Sequence, residues 1–293
     1  MLRPLRSLWA IVRDVYTRFL THDAWAISSH VAMSVLLALF PFLIVVTALA
    51  SLLGTPDSAH EVINLAFEGW PSGIADPLAR EITRVLTGRR LDLLTIGVAL
   101  TLWTSSSGVE AMRVAMTRAY GTPDHRSWWW TRIQSIGFVL LGAVGMLMLS
   151  FAVVLWDPLW QIVSHLSPHL ATLYWVGDFV RYTLTGLFLA AGLLLAHVWL
   201  PPGRVSLFTA VPGVILTLIL WLVGASAFGY WFSRFSNYAS TYAGLGSIMA
   251  VIFFLYINSA VFILGGEVNA VLCARREARE ARQRHAADEE DAV

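Results

Sequence analysis

Six apolar runs, each of about twenty residues or more, constrain this chain more than any motif in it. A helix of that length crosses the roughly 30 Å hydrocarbon layer with its backbone groups paired internally, which lipid demands of any spanning segment. The runs lie at approximately 31–53, 91–110, 133–155, 179–200, 207–231 and 244–272. The second is the least apolar, since Trp103 gives way to Thr104, Ser105, Ser106, Ser107 and Gly108. Composition agrees: 57% of the 293 residues are hydrophobic and 13% charged, with a mean hydropathy of +0.66. Soluble domains carry roughly 45–50% apolar and 25% charged residues, so a soluble enzyme is excluded. The expected fold is an all-α polytopic bundle with six transmembrane helices. It divides into a cytoplasmic amphipathic segment (1–30), a six-span membrane domain (31–272) and a charged cytoplasmic tail (273–293).

All 20 basic residues are arginines, and their placement orients the bundle. Fourteen fall in the N-terminal segment, the 111–132 connection, the 201–206 loop and the tail. The other six are Arg80, Arg84, Arg89, Arg90, Arg181 and Arg234. The positive-inside rule then places both termini in the cytoplasm, as for a multi-pass protein of a bacterial inner membrane. Tryptophans prefer the headgroup level, and Trp128, Trp129, Trp130, Trp156, Trp160, Trp199 and Trp231 mark span ends accordingly. Leu5, Leu8, Trp9, Val12, Val15, Tyr16 and Phe19 recur at helical spacing opposite Arg6, Arg13, Asp14 and Arg18. That pattern predicts a basic amphipathic helix lying on an anionic leaflet. A second surface helix is expected at 76–86 in the long 55–90 connection, capping the outer mouth.

Several chemistries drop out. The absence of lysine removes a P-loop lysine and a Schiff base. The single Cys273 forms neither an internal disulfide nor a thiolate cluster. His165 and His169 have a metal-compatible spacing but flank Pro168 without a third ligand, so no metal site is expected. No cofactor motif is present, and a net charge of +1 gives no broad attraction to nucleic acid.

Polar groups inside the layer are the informative ones, because a charged group there costs about 2.5–3.5 kcal/mol on insertion scales. Asn258 falls mid-span in the last run, and Glu267 and Asn269 follow Gly265 and Gly266. Arg113 and Arg118 follow span two. A Glu267–Arg113 or Glu267–Arg118 pair is therefore expected, either as part of a substrate path or as a plain structural lock. Ser105 and Ser106 are further substrate-binding candidates, with back-bonding to their own helix as the alternative. Pro41, Pro212 and Gly213 are candidate hinges, since proline frees carbonyls within a span. His22 beside Asp23 is a weak acid–base signal, since neighbours in sequence do not face each other on a helix. The pairs Gly186–Ala190, Gly192–Ala196 and Ala225–Gly229 predict close helix packing.

A set of short motifs resembles the YihY/BrkB family of bacterial inner-membrane proteins, whose members often carry the label ribonuclease BN. These are Leu39-Phe40-Pro41, Leu102-Trp103-Thr104-Ser105 and Arg118-Ala119-Tyr120-Gly121, then Leu200-Pro201 and Val211-Pro212-Gly213 with Trp221. Tyr238 and Tyr242 before Gly244-Leu245-Gly246-Ser247, and Gly265-Gly266-Glu267-Val268-Asn269-Ala270, complete it over about 20–272. Phe254-Leu255-Tyr256 departs from the family, which more often has a tryptophan there. The resemblance implies six membrane helices and a link to envelope lipids. Transport or translocation of a lipid or other envelope-related substrate is the expected function, with membrane lipids as partners and an anionic headgroup as a candidate ligand. A substrate-free scaffold is the alternative. Enzymatic activity, ribonuclease included, is not expected, because no metal cluster or His/acid constellation is legible.

Overall fold

The computed structural model describes residues 2–53, 76, 79–80, 91–154, 174–203, 205–241 and 245–291, and all regular structure among them is helical. Among the described residues seven long helices follow one another: α1 Leu2–Thr21, α2 Ala24–Leu53, α3 Leu91–Tyr120, α4 Trp128–Val154, α5 Tyr174–Trp199, α6 Leu207–Thr241 and α7 Leu245–Asp291. Of the expected 76–86 surface helix only residues 76 and 79–80 are described, as helix, and His165, His169, Arg84, Arg89 and Arg90 lie outside the described residues.

Asp23 makes the first corner. Its φ of 52° is left-handed, a conformation aspartate tolerates better than most residues. Its N–H closes α1 on Leu20 O at 3.1 Å, and its carbonyl accepts Ile27 N–H at 3.0 Å to open α2. The start of α2, the ends of α1, α3 and α5, the start of α4 and α6, and the lower half of α7 gather at one end of the bundle, here called the base.

Among the described residues, five helices have stretches long and apolar enough to cross a membrane: Ala24–Leu49, Trp128–Leu149, Tyr182–Trp199, Leu207–Trp231 and Ile248–His285. The chain is thus a multi-pass membrane protein. The expected sixth span belongs to α3, a 30-residue helix whose described part falls short of the others in apolarity. The Thr104–Gly108 stretch, Glu110 and Arg113 are the cause. Even so, α3 packs along α2, where a side chain on Gly108 would stand 3.1 Å from Ala38 Cβ.

One apolar cluster sits near the base, with Phe19, Ile27, Val31, Met116, Leu200, Phe262 and Ile263 among its members. A second joins Val45 and Val46 of α2 to Ala143 and Leu147 of α4. Outward-facing Leu184, Leu187, Leu222 and Phe253 stay exposed, as lipid-facing side chains do. Among the described residues Gly186, Gly192 and Gly229 meet no neighbour within 4 Å, and of the small-residue pairs expected to pack closely only Ala196 joins the buried cluster. Close packing runs instead through Gly108, Gly213, Gly265 and Gly266.

The first helix does more than rest on a leaflet. Val15 and Phe19 are buried, and Asp14 accepts a 2.5 Å bond from Arg275 Nη2 of α7. Trp9, Val12 and Tyr16 remain exposed on its apolar side. The charged segment after Cys273 continues α7 unbroken to Asp291.

Candidate functional site

The Gly265-Gly266-Glu267-Val268-Asn269 segment of α7 is the point on which the base converges. Successive residues on a helix point about 100° apart, so five positions reach every neighbour in turn. Gly265 lies against Thr217 and Gly213 of α6 and against His197 Nε2 of α5, which would stand 3.1 Å from a β-carbon there. Gly266 lies against Met116 of α3, Glu267 faces α1, and Asn269 returns to α6.

Asn269 has the most specific bonding. Its Oδ1 accepts Gly213 N–H at 2.7 Å, and its Nδ2 donates to Ala210 O at 2.9 Å. Proline at 212 has no N–H and crowds the preceding turn, which disturbs the ladder on both sides of it. The Asn269 carboxamide pins the backbone on either side of that proline, at Ala210 O and at Gly213 N–H. Pro212 and Gly213, candidate hinges by sequence, are held here by a side chain from the adjacent helix. Pro41 lies within an uninterrupted α2. The Tyr120 hydroxyl is buried beside Asn269 without a hydrogen bond of ordinary geometry, and burial raises its pKa.

Glu267 is fully buried and pairs with neither arginine expected for it. Its Oε1 accepts from His22 Nδ1 at 2.6 Å, while Oε2 has no partner. His22, at the α1–α2 corner and only a weak acid–base signal in the sequence, is the partner that Glu267 takes instead. It stands 245 positions from Glu267, and no spacing rule connects the two. His22 also lines an open recess of about 510 Å³ with Thr21, Asp23, Thr117, Arg118, Gly121, Thr122 and Pro123. Arg118 is exposed there.

Arg113 is engaged elsewhere. Its Nη2 meets Glu110 Oε1 at 2.5 Å, its Nε meets Glu110 Oε2 at 3.1 Å, and its Nη1 is bonded to Asp124. An i,i+3 partner on its own helix is closer to hand than a carboxylate on α7. Asp124 also takes Arg126 Nε at 2.8 Å, and Arg126 Nη2 passes on to Leu200 O at 2.9 Å. Gln134 Nε2 adds a 2.5 Å bond to Trp199 O. The last carbonyls of α5 lack partners within their own helix, and the α3–α4 connection supplies them.

The Arg126 hydrogen bond holds Asp124 at a pKa of about 2, below the usual carboxylate value. A depressed acid stabilises the fold above its unfolded pKa of about 3.9, and that stabilisation fades as pH falls through the folded value. The shift corresponds to about 2 kcal/mol. Asp124→Asn is therefore expected to lower thermal stability at pH 6. The gap to wild type should shrink to about half by pH 3, as measured by melting in detergent.

The hydroxyls of α3 satisfy themselves: Ser106 Oγ donates to Trp103 O at 2.8 Å, and Ser107 Oγ to Thr104 O at 2.6 Å. Ser105 is buried with its Oγ unpartnered. Asn258 likewise donates back to Phe254 O at 2.7 Å, and its carbonyl accepts Trp221 Nε1 at 3.1 Å. It lines a cleft of about 400 Å³ between α6 and α7, whose other walls include Gly224, Phe228 and Phe253. A second cleft of about 440 Å³ adjoins it, sharing Ile257 and Val261 as walls and lined also by Val15, Phe19 and Val268. The two together run from Phe253 to Val268, about 22 Å along α7 at 1.5 Å per residue. Among the described residues, no three histidine, cysteine or acidic side chains gather around a common point.

A family model described as virulence factor BrkB matches residues 15–290. YfkH of Bacillus subtilis, whose name calls it ribonuclease-like, is 27% identical over 92% of this chain and 97% of its own length. A UPF0761 membrane protein of Rhodospirillum centenum is 26% identical over 89% of this chain and 57% of its own. Another from Tolumonas auensis is 30% identical over 49% of this chain and 46% of its own. No solved structure matches.

Proposed function

Since this chain belongs to the BrkB family of membrane proteins, we propose that it moves a lipid or another amphiphilic envelope substrate within or across the bacterial inner membrane, without enzymatic chemistry. On this reading α3 completes a set of six spans, and the arginine-rich base faces the cytoplasm with both termini.

The observation that carries the reading is the pair of adjoining clefts along α7. They are walled by apolar side chains, extend together over about 22 Å of a roughly 30 Å layer, and reach the amide residue Asn258 partway. A passage for a polar solute would need polar walls, whereas an acyl chain gains from apolar ones. Small-residue gaps at Gly224 and Ala227 give the first cleft its width.

The test is exchange of fluorescently labelled phosphatidylglycerol between leaflets of liposomes that contain the purified protein. Faster exchange than in protein-free liposomes is expected. Gly224→Leu should slow it, because Gly224 meets no neighbour within 4 Å and a larger side chain there fills the cleft without displacing a helix. Exchange that matches empty liposomes, for labelled anionic and zwitterionic lipids alike, would defeat the proposal.

The Bacillus relative's name invites a ribonuclease reading. Arg113, Arg126 and Arg275 are bonded to carboxylates of this chain, and although Arg279, Arg282 and Arg284 on α7 are exposed, no three histidine, cysteine or acidic side chains gather among the described residues to cleave a phosphodiester beside them.

A further inference from the structure

We infer that His22 and Glu267 form a proton-binding site loaded through the recess at the base. Three observations meet there. Glu267 is fully buried at the meeting point of α1, α3 and α7. One of its oxygens has no hydrogen-bond partner, an arrangement that is costly while the group is a charged carboxylate and is eased when the carboxyl is neutral. Its other oxygen is bonded to a histidine whose side chain is 25% exposed and lines an open polar recess.

The proton's route follows from the two ring nitrogens. In the empty state the imidazole is neutral, and its Nδ1–H donates to the Glu267 carboxylate, leaving one negative charge buried. A proton from water adds at Nε2. The proton on Nδ1 then passes to Glu267 Oε1, which leaves a neutral imidazole with its proton on Nε2 and a neutral carboxylic acid. One proton has been taken up, and the buried charge has gone.

The surrounding charges leave this role to the pair. On α1, Arg18 acts on Glu267 only at a distance, and Asp14 is held by Arg275. At the start of α2, Asp23 is exposed. On α3, Arg113 is committed to Glu110 and Asp124, Arg118 stands in the recess, and Tyr120 lies toward Asn269. His197 of α5 donates from Nδ1 to Leu193 O at 2.9 Å and lies on the Gly265 side of α7. Described residues of α6 near the base contribute Thr217 and no titratable side chain. On α7 itself, Cys273 and Arg276 turn to Glu277 and Glu280.

Use of this site to drive movement rests on the transport reading above. Its existence does not, and it is tested without any substrate. Infrared difference spectroscopy on the full chain in lipid nanodiscs, titrated from about pH 9 to 4, should show a carboxylic-acid carbonyl band that grows as pH falls. Glu267→Gln is expected to abolish that band. His22→Gln, altered at the exposed edge, should shift its midpoint. Should the glutamine variant fail to fold, Glu267→Asp serves instead, with a displaced band frequency expected. A wild-type spectrum without such a band, or a band that survives Glu267→Gln unchanged, would overturn the site. Either result would leave the lipid-exchange experiment standing.

Discussion

Gly213→Ala is expected to cost about 3 kcal/mol or more, enough to remove most monodisperse protein from a detergent preparation. The added methyl would overlap the Gly265 carbonyl oxygen and stand 2.6 Å from Asn269 Cγ. Neither neighbour can yield. One is helix backbone, and the other is tied by two hydrogen bonds. Gly265→Ala should behave alike, since its β-carbon would overlap Thr217 Oγ1 and lie 2.8 Å from Gly213 O. Gly224→Ala is the control. It meets open space in the same helix, so the usual gain of alanine over glycine should leave stability level or slightly higher. Melting curves of the three variants in one detergent decide the matter. Equal stability of Gly213→Ala and Gly224→Ala would mean that the α6–α7 contact is looser than described.

Asn269→Ala should lower stability by about 2–4 kcal/mol, because Gly213 N–H and Ala210 C=O both lose their partner in a buried place. Asn269→Asp keeps an acceptor for Gly213 and loses the donor to Ala210, at the added cost of a charge among buried groups. The pair of variants separates two roles for this residue. A substrate ligand could be truncated with little change in melting temperature and a full loss of lipid exchange. A helix lock fails in both together, and that joint loss is the expected result.

Sequence patterning reveals the helices because lipid forces length and apolarity onto each one. Trp128 and Trp199 bound their helices as headgroup anchors should, and the period-3.6 face of α1 holds through Val15 and Phe19. The weakness foreseen for 91–110 is real, since Thr104–Ser107, Glu110 and Arg113 lie inside that helix. The site was legible as a list of residues but not as a set of partners. Glu267 and Asn269 stand out because polar groups cost so much in the layer. Which side chain answers each one depends on rotation about α7 and on a corner 245 positions earlier. Small-residue spacing misled for the same reason. Gly192 and Gly265 look alike in sequence, and only the packing shows that one faces open space and the other faces Thr217 and His197.

The unbroken course of α7 carries a last implication. From Cys273 to Asp291 the helix extends about 27 Å at 1.5 Å per residue. Asp288, Glu289, Glu290 and Asp291 therefore ride at the tip of a rod roughly three screening lengths long at physiological salt. On the proposed orientation, with the base toward the cytoplasm, phospholipid charge is damped almost to nothing over that distance, and the acidic end is spared repulsion that would unseat a shorter arm.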